Sequence, residues 1–365
     1  MKHTYFITGY PGFLASNLIR QLYEDYNARI EHMYLLVLPA LKEKAEQELH
    51  LLRMQHQLPP IFTILPGDIT KPNLSLDELT YERLKKSVTH VFHLAAIYDL
   101  AVPEDIAYQV NVIGTKNVND WVQSLKRLIR YIYFSTAYVS GTREGKIYEH
   151  ELNEGQSFRN HYEQTKFEAE LLVDQIKTSV PTTIIRPGIV IGHSQTGETI
   201  KFDGLYFFLN LFERLSFLPA IPALSGGEAE GNFVPSDYVI RATSYLSIDS
   251  IGEGKTYHLT DPNPYKMREL YEILLYAYLG KTPKGKIPLP LVKASLKINP
   301  LRRGLRVETE ALDYFSIRSS YDAAQATKDL EGSGIACPDF KETVEPIVSY
   351  YKKYKHDVTK HITIL

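Results

Sequence analysis

Six short β-rich apolar runs punctuate the first half of the chain: Tyr5–Thr8, Met33–Val37, Phe62–Leu65, His90–Leu94, Arg130–Phe134 and Thr182–Ile185. Between them lie polar segments with helical spacing, such as Leu14, Leu18 and Leu22 or Leu171, Leu172 and Gln175. Strand and helix patterns in alternation are the sequence form of an α/β fold, a doubly wound parallel sheet of Rossmann type. After Pro187 the pattern turns irregular, with Gly/Ser/Thr-rich loops, an apolar stretch from Tyr206 to Leu224 and a proline cluster around Pro283–Pro300. Residues 188–231 and 261–365 therefore read as a smaller, discontinuous substrate-binding lobe. Residues 1–187 and 232–260 read as the dinucleotide-binding unit, with strand-like Phe233-Val234 and Tyr257-His258-Leu259 returning to the main sheet.

Composition narrows the function classes. The chain has 365 residues, 41 basic and 43 acidic side chains, and a formal charge of −2, which speaks against a dedicated nucleic-acid binder. One cysteine, Cys337, excludes an internal disulfide and a multi-cysteine zinc site. His90 and His93, three apart on a strand, point to opposite faces and cannot share a metal. No metal is expected. The start of the chain runs straight into a strand and a glycine turn, and no stretch approaches ~20 uninterrupted apolar residues. A soluble, cytoplasmic protein is the expectation.

The first strand ends in Thr8-Gly9-Tyr10-Pro11-Gly12-Phe13-Leu14-Ala15, followed at once by a helix start. A strand, a tight glycine turn and a helix N-terminus bring free backbone N–H groups and a positive dipole end to a pyrophosphate. Gly9, Tyr10, Pro11, Gly12, Phe13 and Leu14 are the candidate phosphate loop, with Ala15 as the small residue that lets helix and strand pack closely. An acid that would hold an NAD ribose is absent from the end of the second strand, and Lys42 and Lys44 follow within a few residues. They tilt the expected cofactor to NADP, with NAD left open, because Lys42 to Gln57 also reads as a solvated helix.

Two separated segments carry the candidate chemistry. The fifth strand leads into Ser135-Thr136, and Tyr162 and Lys166 lie four apart, on one face of a helix. Tyrosine has a reference pKa of ~10 and is a poor base at neutral pH; a nearby ammonium favours its phenolate, which allows proton exchange with a carbonyl oxygen. Thr136 at a strand end can donate a hydrogen bond to that oxygen. Tyr-x-x-x-Lys alone means little in a chain with 26 tyrosines, of which Tyr271 and Tyr276 are read as core. The conjunction of loop, hydroxyl and Tyr–Lys helix in that order carries the inference.

In this conjunction the sequence resembles an extended short-chain dehydrogenase/reductase. The matching elements are Thr8-Gly9-x-x-Gly12, Gly67-Asp68-Ile69, His93-Leu94-Ala95-Ala96, Asn111-Val112-x-Gly114-Thr115, Ser135-Thr136, Tyr162-x-x-x-Lys166 and Arg186-Pro187-Gly188-x-Val190-x-Gly192. Asn232-Phe233-Val234-Pro235-Ser236-Asp237 extends the match. Within that group the chain is similar to fatty acyl-CoA reductases and to terminal thioester reductase domains, on Gly67-Asp68-Ile69-Thr70-Lys71-Pro72, Ser135-Thr136-Ala137-Tyr138-Val139 and Gly192-His193-Ser194-Gln195-Thr196-Gly197. The resemblance implies Thr136, Tyr162 and Lys166 as catalytic residues. It implies a nicotinamide cofactor held by the loop, Asp68, Ile69, Leu94, Ala95, Ala96, Asn111, Ser135, Tyr162, Lys166, Pro187, Gly188 and Val190. Leu38 stands where this branch often has an arginine for the 2′-phosphate.

The expected reaction is hydride transfer to an acyl thioester or aldehyde. A nucleotide-sugar epimerase or dehydratase with tightly bound NAD and a non-catalytic redox sensor are the alternatives. The substrate is a small molecule, with an acyl group on coenzyme A or a carrier as one form; a homodimer is permitted. Lys284, Lys286, Lys293, Lys297, Arg302, Arg303 and Arg306, with no acid among them, form either an anion dock or a solvated face. The run from Leu205 to Leu215 lines an acyl channel or, more in keeping with burial preferences, forms the lobe's core.

Overall fold

The computed structural model describes residues 2–98, 102–248, 250–296 and 310–361. Seven strands form one sheet: β1 (His3–Thr8), β2 (Ile30–Val37), β3 (Phe62–Pro66), β4 (His90–His93), β5 (Arg130–Phe134), β6 (Thr182–Pro187) and β7 (Thr256–Leu259). Their order is β7-β6-β5-β4-β1-β2-β3, and every pairing is parallel. The central strands are buried on both faces, every residue of β5 and of β6 included, because helices cover both sides of the sheet. After β3 the chain crosses over to lay β4 against β1, so the strand order reverses there and a crevice opens at the strand C-termini.

The helix Phe13–Tyr26 buries Ala15, Leu18, Ile19 and Leu22, an i, i+3, i+4, i+7 stripe that seats it on the sheet. Pro187 and Gly188 end β6, and Ile189–Ile191 peels away to pair with Phe233–Pro235. Phe233-Val234 thus joins a separate two-stranded ribbon instead of the main sheet; Tyr257-His258-Leu259 does return, as β7 on β6. Later chain comes back too: Ser319–Tyr321 pairs with Gly145–Ile147, and Ala326 and Leu330 pack in the cluster that holds Tyr5 and Ile7.

A second cluster joins Phe202, Leu205–Leu209 and Phe212 to Leu270, Leu274, Phe340 and Ile347. The Leu205–Leu215 run is that core. Tyr271 is buried there, whereas Tyr276 is 65 % exposed because it falls off the inward stripe of the helix Met267–Leu279. Of the basic stretch, Lys297, Arg302, Arg303 and Arg306 lie outside the described residues, and Lys293 pairs with Asp313 at 2.7 Å. Among the described residues no helix is long and apolar enough to cross a membrane, and no cluster of three or more His, Cys, Asp or Glu could hold a metal. His93 bridges Thr8 Oγ1 (2.8 Å) and Thr115 Oγ1 (3.1 Å), and burial lowers its pKa to about 3, which makes it a neutral structural link.

Beneath the strand ends lies a buried ion pair. Arg186 on β6 binds Glu170 through Nη2–Oε1 at 2.6 Å and Nε–Oε1 at 2.9 Å, and both side chains are essentially inaccessible. Arg186 also donates to the Glu149 carbonyl at 3.2 Å and lies 3.2 Å from His258 Nε2 on β7. Removing one member strands the other charge out of water. Glu170→Gln is therefore expected to cost about 3–5 kcal/mol in urea unfolding, and Glu228→Gln, at the exposed Arg268–Glu228 pair, about 0–1 kcal/mol.

Candidate active site

A cleft of about 640 Å³ opens at the reversal of strand order. It is lined by the loop residues Gly9, Tyr10, Pro11, Gly12, Phe13 and Leu14, and by Asp68, Ile69, Leu94, Ala95, Ala96, Ser135, Thr136, Tyr162, Lys166, Pro187, Gly188 and Val190. Asn111 is not on its wall. The Asn111 amide accepts from Ile97 N at 2.9 Å and donates to Thr165 Oγ1 at 3.0 Å, fixing the β4 loop to the Tyr162 helix from behind.

The loop fits a pyrophosphate on its own geometry. Gly9 has φ +90°, and a Cβ there would come within 2.8 Å of Ala95 N and of the Leu94 carbonyl carbon, so only glycine lets β1 turn this close to β4. Gly12 N donates to Gly9 O at 2.8 Å and closes the turn. The helix that follows has no side-chain cap on Gly12 and no acid in its first turn. Its N-terminal N–H groups and dipole are thereby left for an anion.

Thr136 follows β5 in extended conformation, and its Oγ1 accepts weakly from Tyr138 N at 3.3 Å. Its hydroxyl shares the cleft with that of Tyr162. Asn160 caps the helix His161–Ile176 by accepting from Glu163 N at 2.9 Å, which sets Tyr162 in the first turn. Burial raises the Tyr162 phenol well above its usual range, and the Thr136 hydrogen bond offsets this in part. Lys166, one turn on, donates from Nζ to Phe134 O at 2.6 Å and to Tyr133 Oη at 3.0 Å. Burial lowers its pKa to about 7, opposed by the charge of Glu170. Glu170, a further turn on, also accepts from the Ser135 hydroxyl. Tyr162, Lys166 and Glu170 thus form one helix face against the end of β5.

Sequence patterns did not single out several other cleft residues. Tyr98 places its ring edge-on to Tyr162, with centroids 5.0 Å apart. Leu41 lines the end near β2, beside Leu38 and Lys44, which the sequence did single out. Thr199, Ile200, Lys201 and Asp203 line it from the segment between Ile189–Ile191 and the helix Tyr206–Leu215, in a loop whose lack of periodicity left no signal. Cys337 is half-buried and does not line the cleft, and desolvation raises its thiol well above the usual range.

The family model described as "Male sterility protein" matches residues 7–243. The non-canonical nonribosomal peptide synthetase cpsA of Aspergillus campestris is 27 % identical over 357 residues, 89 % of this chain and 33 % of that protein. The alcohol-forming fatty acyl-CoA reductase of Simmondsia chinensis is 26 % identical over 285 residues, 60 % of this chain and 56 % of that one. This chain thus spans a third of the one and little more than half of the other. Among solved structures, the terminal R domain of the myxalamid PKS-NRPS pathway superposes with a TM-score of 0.81 at 24 % identity, covering 99 % of this chain and 93 % of that one, a likeness of fold.

The electrostatics predict a proton linkage. Anionic phosphates entering the cleft favour the charged form of Lys166, which burial otherwise lowers to about 7. Between pH 7 and 9, binding of NADPH or NADH should take up a proton at Lys166, and affinity should fall as pH rises. Calorimetry in two buffers of different ionisation enthalpy measures the uptake, and Lys166→Met should abolish it.

Proposed function

Because the chain belongs to the male sterility protein family, we propose that it is an NAD(P)-dependent reductase of acyl thioesters or aldehydes, working through Thr136, Tyr162 and Lys166. The observation that carries this reading is the convergence of an uncapped glycine turn and a protonated, buried tyrosine on one cleft. When bound, the nicotinamide supplies a hydride. Gly9 to Leu14 would hold the pyrophosphate, and Pro187, Gly188 and Val190 would flank the nicotinamide end.

The state of Tyr162 suits it to give a proton. A phenol whose pKa is raised by burial carries its proton at neutral pH, and reduction of a carbonyl requires that proton at the oxygen. Thr136 holds the oxygen and orients it against the Tyr162 hydroxyl. As the proton leaves, Tyr162 gains negative charge in a site of low dielectric, and Lys166 on the same helix face is the cation placed to stabilise it. Direct reduction needs no thiol, in keeping with the position of Cys337.

Lys44 on the cleft wall beside Leu38 and Leu41 favours NADP over NAD through a 2′-phosphate, although it is exposed and shares its charge with Glu48 at 3.6 Å. The synthetase and acyl-CoA reductase relatives support an acyl group on a carrier or on coenzyme A as the substrate form.

Purified protein mixed with NADPH or NADH and acyl-CoA thioesters of several chain lengths, or the corresponding aldehydes, should oxidise the cofactor. Tyr162→Phe should lower kcat by about 10²–10⁴ while cofactor affinity is retained. Absence of oxidation with every thioester and aldehyde would overturn the reading, and tightly bound NAD released on denaturation would favour the epimerase alternative.

A further inference from the structure

One wall of the cleft is formed by Thr199, Ile200, Lys201 and Asp203, residues outside both the glycine loop and the Thr136, Tyr162 and Lys166 set, in a segment without regular secondary structure. Ile200 is 48 % exposed. A wall of this kind has no sheet or helix ladder to hold it, so its position depends on what its backbone is tied to. The ties come from the far end of the chain. The Lys360 ammonium donates to the Thr199 carbonyl at 2.7 Å, and the Tyr350 hydroxyl donates to the same oxygen at 3.3 Å. Phe202 N donates to the Lys360 carbonyl at 2.7 Å, and Phe202 and His361 form a parallel bridge.

The ties are themselves held in place. Lys360 lies over the rings of Tyr350 and Tyr354, 5.1 and 5.4 Å from their centroids, so its charge is fixed by two aromatic faces on the helix Phe340–Tyr354. Asp357 caps the short turn Val358–Lys360 by accepting from Thr359 N at 3.0 Å. At the other end of the wall loop, a Cβ on Gly197 (φ +69°) would fall 2.2 Å from the Pro346 carbonyl oxygen. The loop therefore lies against that helix at two points. Phe202, fully buried against Tyr206 and Tyr351, is the apolar pin beneath it.

We propose that Lys360, with Tyr350, is a positioning residue for substrate: it ties Thr199–Asp203 in place and so sets affinity for the acyl group while touching neither cofactor loop nor Thr136, Tyr162 or Lys166. The functional half of this inference rests on the reductase reading. Its structural half does not.

Lys360→Met keeps the aliphatic stem and removes both the hydrogen bond and the charge over the rings. Loss of a hydrogen bond of this kind is expected to raise KM for the acyl substrate about twofold to tenfold, with kcat and KM for NADPH unchanged. Amide hydrogen exchange at 199–203 should speed up in the same variant, and Tyr350→Phe should act in the same direction more weakly. Unchanged exchange and unchanged substrate KM would overturn the proposal. So would a parallel rise in KM for substrate and cofactor, which marks general loosening. If the wild-type protein oxidises no cofactor, the reductase reading fails, and exchange at 199–203 alone decides whether the tether exists.

Discussion

The buried pair of Arg186 and Glu170 is the constraint on which the site depends. Three elements that are distant in sequence meet at it: β6, the helix carrying Tyr162 and Lys166, and Ser135 at the end of β5. An ion pair taken out of water is a poor source of stability, since desolvation consumes most of its Coulombic gain. What it supplies is register. A guanidinium and a carboxylate in bidentate contact tolerate little rotation or slip, so the helix cannot turn its Tyr162 face away from the strand end without stranding two charges. The further bonds from Arg186 to the Glu149 carbonyl and from Glu149 to the backbone of His258, Gln325 and Ala326 extend that register to β7 and to the returning segment.

This arrangement also sorts the titratable groups. Burial holds the proton on Tyr162 and loosens it on Lys166, in a cleft built to receive an anion. In this arrangement the ammonium is turned to Phe134 O and Tyr133 Oη. A phenol that keeps its proton and an amine whose charge depends on its neighbours are the groups that the arrival of negative charge would affect differently.

Legibility in the sequence followed the range of the interactions. The β1 turn was readable because glycine at a positive φ beside another backbone is a local demand, written in Gly9 and Gly12 themselves. All seven main strands except the returning one stood out as short apolar runs, since strands buried on both faces must be apolar nearly throughout. Tyr162 and Lys166 were readable as a pair because i, i+4 spacing on a helix places them on one face. The partners of Lys166 were not, because Tyr133 and Phe134 O reach it only through the packing of that helix on β5. The ribbon of Ile189–Ile191 with Phe233–Pro235 escaped notice for a like reason: a strand pattern tells that a segment pairs, not with which neighbour.

The wall at Thr199–Asp203 marks where pattern gives out altogether. It has no period and no motif, and its Thr199 carbonyl is satisfied by side chains more than a hundred and fifty residues away, Tyr350 and Lys360. The family match covers residues 7–243 and so includes the wall but not its ties. The glycine turn is determined by local backbone geometry, which a family can preserve with few residues. The wall at Thr199–Asp203 is held by long-range tethers to the helix Phe340–Tyr354 and the turn that follows it. A change in that helix can move the wall without disturbing Gly9, Thr136, Tyr162 or Lys166, because none of those residues contributes to the ties. The shape of the cleft can thereby change through residues that touch neither the glycine loop nor Tyr162.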